Sequence, residues 1–386
     1  MKRLARYFPN FLFSDRAERV FWFQRTGAIN TTRPDFQAMS HRKGGTLLAA
    51  MECDFNDCRL ILNKSCTPFF SVPYILTKNS YLCPAYKIRK DIMVHKSGFV
   101  NIIGNPNVGK STIMNALVGE KISIITSKMQ TTRHRIKGIV SGDDFQIVYS
   151  DTPGILKPNY KLQEEMMKFV DTALIDADVI LYVTDVVEKI DKNIEYLEKV
   201  KESNVPTIVL INKIDLSNQK TVLDLIGQWK ELLPDATILP VSATEGFNIS
   251  PIFDLILENL PEAPAYFPKE ELTDRNERFF VQEIIREKIL LFYQKEIPYS
   301  VEIEVESFKD EDKLLNISAV IHVTRETQKG IIIGHQGKAI KKVGSEARKD
   351  IEEFFCKKVF LQLFVKVSKD WREEEKSLRN FGYEMQ

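Results

Sequence analysis

The sequence predicts an α/β domain with a mostly parallel, doubly wound sheet, followed by a smaller α+β domain. Three observations indicate this. Residues 99–115 read as an apolar strand, a glycine-bounded loop and a helix. The runs VILYVTD and TIVLIN are almost entirely apolar, as is typical of parallel strands buried on both faces. Three later runs alternate strictly between apolar and polar residues, which is typical of half-solvated strands.

Residues 1–92 show no sustained helical or strand period, so no fold is predicted for them. Met93 is followed by a short polar segment and then by the first core strand. We therefore expect either that translation starts at Met93 or that residues 1–92 form an extension that can be disordered. Four cysteines, at positions 53, 58, 66 and 83, lie in this part of the chain. Without a Cys-x-x-Cys pair they favour unrelated reduced thiols over a zinc site.

The loop after the first core strand of the predicted 93–264 domain reads GNPNVGKS, with a glycine at each end. A backbone that curls around an anion needs this, because a Cβ at either end would obstruct the curl. Lys110 would reach the β- and γ-phosphates of a nucleotide, and Ser111 would bind Mg²⁺. The alternative, an ordinary glycine turn, is disfavoured by the apolar strand and helix on either side. The predicted phosphate contacts are Gly104, Asn105, Pro106, Asn107, Val108, Gly109, Lys110, Ser111 and Thr112.

Two downstream segments are predicted to respond to a γ-phosphate. QTTRHRI is too polar to be core, and its Thr131 and Thr132 are placed to supply a second Mg²⁺ ligand from a loop that the γ-phosphate orders. The strand FQIVYSD brings Asp151 to the carboxyl edge of the sheet, where it can hold Mg²⁺ through water. The Gly154 N–H can bond to the γ-phosphate. The predicted nucleotide contacts in this turn are Asp151, Thr152, Pro153 and Gly154.

The strand TIVLIN ends in Asn212, Lys213, Ile214 and Asp215. The Asp215 carboxylate can accept hydrogen bonds from the N1–H and the 2-amino group of guanine, and adenine offers no such pair of donors. Guanine is therefore the predicted base. A further strand leads to Ser242 and Ala243, and the Ala243 N–H is predicted to donate to the guanine O6.

Residues 259–278 contain three prolines and several acidic residues, which disfavours both helix and strand. Residues 265–278 are the predicted linker to a domain at 279–370, and residues 371–386 are left as a tail. The second domain reads in the order α-β-β-α-α-β, and its hairpin strands are predicted to carry a charged, solvated outer face. Its two central helices meet at GHQG, where two glycines let a sugar-phosphate backbone come close to the main chain. A helix-helix turn with a solvated basic face is the alternative. The predicted RNA contacts are Gly334, His335, Gln336, Gly337, Lys338, Lys341 and Lys342.

The formal net charge of +1 means that a nucleic acid must be held by a local basic surface. Residues 329–349 provide one, since they carry six Lys or Arg against one Glu. No apolar stretch approaches the roughly 20 residues that a spanning helix needs, and the first residues make a poor secretory signal. A cytoplasmic location is expected.

These five motifs, in this order and each at a strand end, resemble the translation-factor-related GTPases, and GNPNVGKS with QTTRHR and DTPG looks like the Era family. The resemblance covers residues 93–386. It implies a P-loop GTPase domain and a type II KH domain, Mg²⁺ as cofactor, and GTP-controlled binding to the 3′ region of 16S ribosomal RNA. It further implies assembly of the small (30S) ribosomal subunit, a monomer, and peripheral association with the inner face of the cell membrane.

The resemblance also bears on catalysis. Ile155 stands where Ras-like enzymes carry a glutamine that orients water, so hydrolysis is expected to be slow and to depend on Lys110, Asn107 and Gly154. In the Era family the loop asparagine is thought to help bind a monovalent cation, which would place K⁺ beside Asn107. Loop geometry alone is the alternative for Asn107, and both stay open.

Two other functions remain in competition at this point. One is a non-enzymatic RNA chaperone in which nucleotide only supports folding, and the other is a signalling GTPase with a protein-binding appendage. Loss of RNA binding on mutation of the GHQG glycines would separate the last from an RNA-binding switch.

Overall fold

A six-stranded sheet organises the first domain of the computed structural model, which describes residues 95–190 and 193–383 and the backbone of Glu52–Asp54 and Asp57–Arg59. The chain divides into two units, Met1–Lys90 and Asp91–Gln386. In the first unit, β1 (Glu52–Asp54) and β2 (Asp57–Arg59) pair antiparallel, which the sequence did not predict. The expectations about a start at Met93, an extension and the cysteine side chains lie outside the described residues.

The sheet has the strand order β4-β5-β3-β6-β7-β8. Only β4 runs antiparallel to its neighbour, β5, and the remaining pairs are parallel. The predicted mostly parallel sheet is therefore confirmed. Its strands are β3 (Lys96–Gly104), β4 (Ile136–Ser141), β5 (Phe145–Asp151), β6 (Val179–Asp185), β7 (Thr207–Asn212) and β8 (Thr237–Pro240).

Helices cover both faces of this sheet, and each face has its own apolar core. One core includes residues of α1 and α5 and the other includes residues of α2, α3 and α4. Every residue of β6 is buried, because a parallel strand between two helical layers has no solvated side. The helices are α1 (Lys110–Val118), α2 (Lys161–Ile175), α3 (Ile194–Glu202), α4 (Gln219–Leu232) and α5 (Ile249–Asn259).

The predicted linker lies along the edge of the sheet at β4. The Leu272 carbonyl accepts from the Ile139 N–H at 2.8 Å, and the buried Gln146 side chain accepts from the N–H groups of Tyr266 and Phe267. The next helix begins at Glu277, two residues before the predicted start of the second domain at 279, and is capped by the side chain of Asn276. The connection is thus fixed to the first domain by hydrogen bonds.

The second domain follows the predicted order α-β-β-α-α-β. Its sheet has the order β11-β10-β9, with β10 antiparallel to β9 and parallel to β11. The helices lie on one face and enclose an apolar core. Its elements are α6 (Glu277–Phe292), β9 (Glu302–Asp310), β10 (Leu314–Val323), α7 (Glu326–Ile333), α8 (Lys338–Phe355) and β11 (Lys358–Val367).

Helix α6 is buried on both its apolar and its polar sides. Its polar residues Glu283, Arg286 and Glu287 are all buried, because α6 lies between its own sheet and the first domain. Arg286 bonds to Glu283 and to the carbonyls of Gln130 and Thr131, so the buried charges are satisfied.

Residues after β11, left as a tail by the sequence, form α9 (Glu375–Asn380) and pack onto the first domain. Trp371, Leu378 and Tyr383 are buried in the core that covers α2. Within the part of the chain that the structure describes, none of the helices combines the length and apolar character needed to cross a membrane.

Candidate functional site

The loop between β3 and α1 needs glycine at both ends because other parts of the chain approach its backbone closely. A Cβ at Gly104 would lie 2.1 Å from the Val183 carbonyl oxygen, and one at Gly109 would lie 2.2 Å from Asn212 Nδ2. Gly109 also has a φ of 100°, in the region that favours glycine. The loop is therefore held in a fixed curl. Within it Asn105 and Val108 are buried, Pro106, Ser111 and Thr112 are partly buried, and Asn107 is exposed.

Lys110 is buried inside this curl. Its Nζ donates to the carbonyl oxygens of Gly104 at 3.0 Å and Asn105 at 2.8 Å. Burial lowers the pKa of Lys110 to about 8, against the attraction of Asp151 and Glu188. An ammonium group held in a low-dielectric loop is poised to pair with an anion.

Three oxygen-bearing side chains meet beside Lys110. Ser111 Oγ lies 2.6 Å from Asp151 Oδ2 and 3.0 Å from Thr132 Oγ1, and Thr132 Oγ1 lies 3.3 Å from Asp151 Oδ2. The buried Asp151 Oδ1 has no hydrogen-bond partner among the described residues. Hydroxyl and carboxylate oxygens are the ligands that Mg²⁺ prefers, and a free carboxylate oxygen can accept from a metal-bound water.

Thr131 is not part of this cluster. Its Oγ1 lies 2.6 Å from Thr126 Oγ1 and donates to the Lys128 carbonyl at 2.6 Å. Of the two threonines predicted to ligate Mg²⁺, the structure thus brings only Thr132 to Ser111 and Asp151.

The segment after Asp151 packs against the phosphate loop. Thr152 Oγ1 donates to the Ile102 carbonyl at 2.7 Å, and a Cβ at Gly154 would lie 2.7 Å from the backbone of Pro106. The Ile155 side chain is buried in the core near α2. Asn193, which the sequence did not single out, donates to Asn105 Oδ1 and so links a second loop to this site.

Between the phosphate loop and the ends of β6 and β7 lies a cleft of about 590 Å³, lined by Pro106, Asn107, Val108, Asp185, Val187, Glu188, Lys189, Lys213 and Leu216. Asp215, Ser242 and Ala243 follow the ends of β7 and β8 and are not among its lining residues. Ser242 Oγ donates to Asp215 Oδ1 at 2.6 Å and orients that carboxylate. The Ala243 N–H donates to Asn212 Oδ1 at 3.1 Å, and Asn212 Nδ2 donates to the Val108 carbonyl at 2.8 Å.

Lys213 bridges this cleft to the phosphate loop. Its Nζ donates to the Asn107 carbonyl and to Asp185 Oδ2, both at 2.6 Å. Asp185 was missed by the sequence analysis, although its place at the end of the buried strand VILYVTD is the same signal that singled out Asp151. Asn212 and Lys213 thus connect the end of β7, which leads to the predicted base-side residue Asp215, to the phosphate loop.

In the second domain, α7 and α8 meet at a tight turn that contains the predicted RNA contacts. Gly334 and Gly337 both have a φ of 71°, and a Cβ at Gly334 would lie 2.6 Å from Ala339 Cβ. His335 and Gln336 are at its tip, and both are exposed. Lys338 and Lys341 are exposed nearby, and Lys342 Nζ lies 4.4 Å from the centroid of the Phe292 ring. The turn thus presents backbone and positive charge to solvent.

The segment that carries Thr132 also contacts the second domain, so the expectation that QTTRHRI lies outside the core is wrong. Arg133 is 1% exposed and donates to Glu302 Oε2 at 3.0 Å and to the carbonyls of Val301 and Pro298. Tyr383 donates to the same Glu302 oxygen at 2.6 Å. Burial works against the charge on Arg133, but Tyr383, Glu302 and Tyr160 together raise its pKa.

Two more residues that were predicted to be exposed to solvent are buried at this contact. Glu302 and His322, assigned by alternation to an open sheet face, are both buried, because the C-terminal segment and the first domain cover that end of the sheet. His134 stacks on the Tyr383 ring with centroids 4.3 Å apart. Burial and the nearby Arg275, Arg286 and Arg133 hold the pKa of His134 well below its usual value, so the ring is neutral.

Comparison with known families matches both halves of the chain. Residues 99–213 match the family described as 50S ribosome-binding GTPase, and residues 296–372 match the KH domain family. The first match contains the phosphate loop and Asp151, and the second contains the glycine turn.

Full-length relatives are also similar. The GTPase Era of Staphylococcus haemolyticus is 44% identical over 291 residues, 75% of this chain and 97% of the relative. That of Alkaliphilus metalliredigens is 44% identical over 295 residues, 76% of this chain and all of the relative.

Two solved structures of Era are similar to this chain over 75% of its length. A crystal structure of Era in complex with MgGDPNP and nucleotides 1506–1542 of 16S ribosomal RNA matches with a TM-score of 0.73, at 38% identity, over 75% of this chain and 100% of that one. A point variant of Aquifex aeolicus Era bound to GDP·AlF₄⁻ matches with a TM-score of 0.72 at 39% identity, with the same coverage of both chains. The chain belongs to the Era family of GTPases.

Proposed function

We propose that this GTPase binds the 3′ region of 16S ribosomal RNA through the turn at Gly334–Gly337 while GTP is bound, and releases it after hydrolysis during assembly of the 30S subunit. The observation that carries the proposal is the adjacency of Thr132 and Arg133. Thr132 belongs to the cluster beside the phosphate loop, and Arg133 is bonded into the second domain. The solved Era complex with a 16S segment supports this choice of RNA.

RNA binding in different nucleotide states tests the proposal. Anisotropy of a labelled single-stranded RNA with the 16S 3′-end sequence should report tighter binding with a non-hydrolysable GTP analogue than with GDP. With the matching ATP analogue, the RNA affinity should equal the affinity measured without nucleotide. Equal affinity with GTP analogue and GDP would refute the switch, and no RNA binding in any state would refute the whole function.

Mg²⁺ fits the cluster of Ser111, Thr132 and Asp151, given the unpaired carboxylate oxygen there. When bound, it would neutralise charge on the β- and γ-phosphates. Lys110 would pair with the same phosphates, and the Gly154 N–H would donate to the γ-phosphate. The buried Ile155 cannot orient a water molecule, which supports slow hydrolysis without an activator.

Thr132→Ala should weaken Mg²⁺-dependent GTP binding about tenfold, because it removes one oxygen from the cluster. Thr131→Ala is the matched control and should change the affinity by less than about twofold, since its hydroxyl contacts Thr126 and Lys128. A fluorescent GTP analogue titrated at several Mg²⁺ concentrations measures both. Equal losses in the two variants would contradict the assignment.

The Arg133–Glu302 contact is proposed to pass the nucleotide state to the second domain, since both residues are buried and lie in different domains. Arg133→Met should cost about 3–5 kcal/mol in the free energy of unfolding, because it leaves the buried Glu302 carboxylate without its cationic partner. It should also remove most of the difference in RNA affinity between the GTP and GDP states.

The exposed pair Lys161–Glu375, at 2.8 Å, also joins the first domain to the C-terminal segment and provides the control. Lys161→Met should change stability and RNA affinity little, because exposed ion pairs contribute little. Urea unfolding and the anisotropy assay measure both variants. A nucleotide-dependent RNA affinity that survives Arg133→Met would rule out this route.

A monovalent cation beside Asn107 is proposed on the strength of the family resemblance. The Asn107 side chain is exposed and donates to the Ser127 carbonyl at 3.0 Å, so it lies between the phosphate loop and the segment leading to Thr132. GTP hydrolysis should be several-fold faster in K⁺ than in Na⁺, and Asn107→Ala should abolish the difference. Equal rates in both salts would leave Asn107 with a role in loop geometry only.

We infer from the family resemblance that the protein acts as a cytoplasmic monomer with peripheral attachment to the inner face of the membrane. Light scattering of the purified protein and flotation with anionic vesicles test the two parts separately. A stable dimer, or failure to float with the vesicles, would overturn the corresponding part.

A further inference from the structure

The outer face of β11 carries two exposed aromatic side chains on an edge strand. Phe360 and Phe364 are each 52% exposed, and Gln362 lies between them on the same face. Four residues along a strand span about 13 Å. Exposed phenylalanines on a sheet face offer flat surfaces on which unpaired bases can stack.

The charge around these rings favours a polyanion. From Lys357 to Lys369 the chain has four lysines and no acidic residue. Lys357 pairs with Asp310 at 2.6 Å and Lys358 lies 3.7 Å from Glu352, whereas Lys366 and Lys369 are exposed at the other end of the strand. Exposed positive charge therefore lies at the Lys366 end of the aromatic pair, while the lysines at the other end face acidic partners.

The residues beside the two phenylalanines are mostly polar, so this face is not a continuous apolar patch. Asn316 lies opposite Phe360, Ser318 lies opposite Gln362, and only Val320 beside Phe364 is apolar. Glu304, the acid beside Val320, is bonded to His322 at 2.9 Å. Aromatic rings separated by amide and hydroxyl groups suit stacked bases better than the apolar core of a protein interface.

The helices that carry the glycine turn cover the other face of this sheet, and α8 packs directly against β11. Gly344, two turns into α8, approaches the inner face of β11 so closely that a Cβ there would lie 3.3 Å from Leu363 Cδ1. Gln362 and Phe364, on either side of Leu363, lie on the opposite face. A clamp of the KH type holds about four nucleotides, so a longer strand must leave it and can pass over this edge.

We infer that Phe360 and Phe364, with Lys366, form a second single-stranded RNA surface that stacks bases of the strand beyond the glycine turn. The inference rests on the RNA binding proposed above. This surface adds binding energy for a long RNA and leaves the contact made by the glycine turn unchanged.

Substitution to leucine tests it, because leucine keeps the apolar character and removes the flat ring. The Phe360→Leu/Phe364→Leu protein should bind an RNA of about twelve nucleotides roughly tenfold or more weakly. It should bind an RNA of about five nucleotides, which fills only the turn, as the wild type does. Phe364→Trp should retain the affinity for the long RNA.

Unchanged affinity of the leucine protein for the long RNA would overturn the inference and leave the surface to a protein partner. The result is separable from the proposed function, because normal binding of the short RNA shows that the turn works and that the protein is folded. A third measurement uses Lys366→Gln, which should lower the slope of log affinity against log salt by about one. An unchanged slope would exclude Lys366 from the surface.

Discussion

Asp215→Asn should convert the protein from a guanine-nucleotide binder into one that prefers xanthine nucleotides. Ser242 holds the Asp215 carboxylate in place, where it is proposed to accept from N1–H and the 2-amino group of guanine. Asparagine can accept only one of these bonds and would face the second donor with its own N–H₂. Affinity for GTP should fall on the order of 100-fold, because charge-assisted hydrogen bonds are worth about 1.5–3 kcal/mol each.

Xanthine carries a carbonyl in place of the 2-amino group, so the asparagine N–H₂ can donate to it. Direct titration with GTP and xanthosine triphosphate measures both affinities. Asp185→Asn is the matched control: it loosens Lys213 and should weaken the binding of both nucleotides alike without reversing their order. If the Asp215→Asn protein still prefers GTP, the proposed base contact is refuted.

Gly337→Asp should reduce RNA binding at least tenfold while leaving GTP affinity unchanged. Nothing lies within 4 Å of a Cβ at Gly337, so the turn can accept a side chain there, and Asp and Asn tolerate a positive φ better than most residues. The added carboxylate would face the phosphate backbone and repel it.

Gly337→Asn separates charge from shape, since the two side chains are nearly the same size. Its loss of RNA affinity should be several-fold smaller than that of the Asp variant, and the gap should narrow at high salt. Gly334 is a poor site for this test, because a Cβ there would collide with Ala339 and disturb the turn itself. Equal RNA affinity in the wild type and both Gly337 variants would show that the turn does not meet the RNA backbone.

Local motifs were predictable because the chemistry of each is confined to a few consecutive residues. A backbone that curls around an anion needs glycine at fixed places, and Gly104 and Gly109 show this in their close approach to Val183 and Asn212. The apolar runs of β6 and β7 predicted buried parallel strands for an equally local reason. The roles of these residues in binding nucleotide stay predictions.

The contact between the domains was not predictable from pattern. Arg133, His134, Glu302 and Arg286 are polar residues that spacing assigns to solvent, yet all four are buried. Their burial depends on partners far away in the chain, since 169 residues separate Arg133 from Glu302. Hydrophobic periodicity reports which face of an element is apolar, and it carries no information about polar groups that are satisfied by a distant element.

By itself the sequence determined the two domain types, the phosphate loop and the glycine turn, because steric and hydrogen-bonding demands fix residue type and spacing within each. Only the tertiary structure decided that Thr132 and not Thr131 meets Ser111 and Asp151, and that the C-terminal segment packs against the first domain. The two neighbouring threonines are the same residue type, so the sequence does not distinguish them. What distinguishes them is the direction of their side chains, since the Thr132 hydroxyl meets Ser111 and Asp151 whereas the Thr131 hydroxyl bonds to Thr126 and to the Lys128 carbonyl.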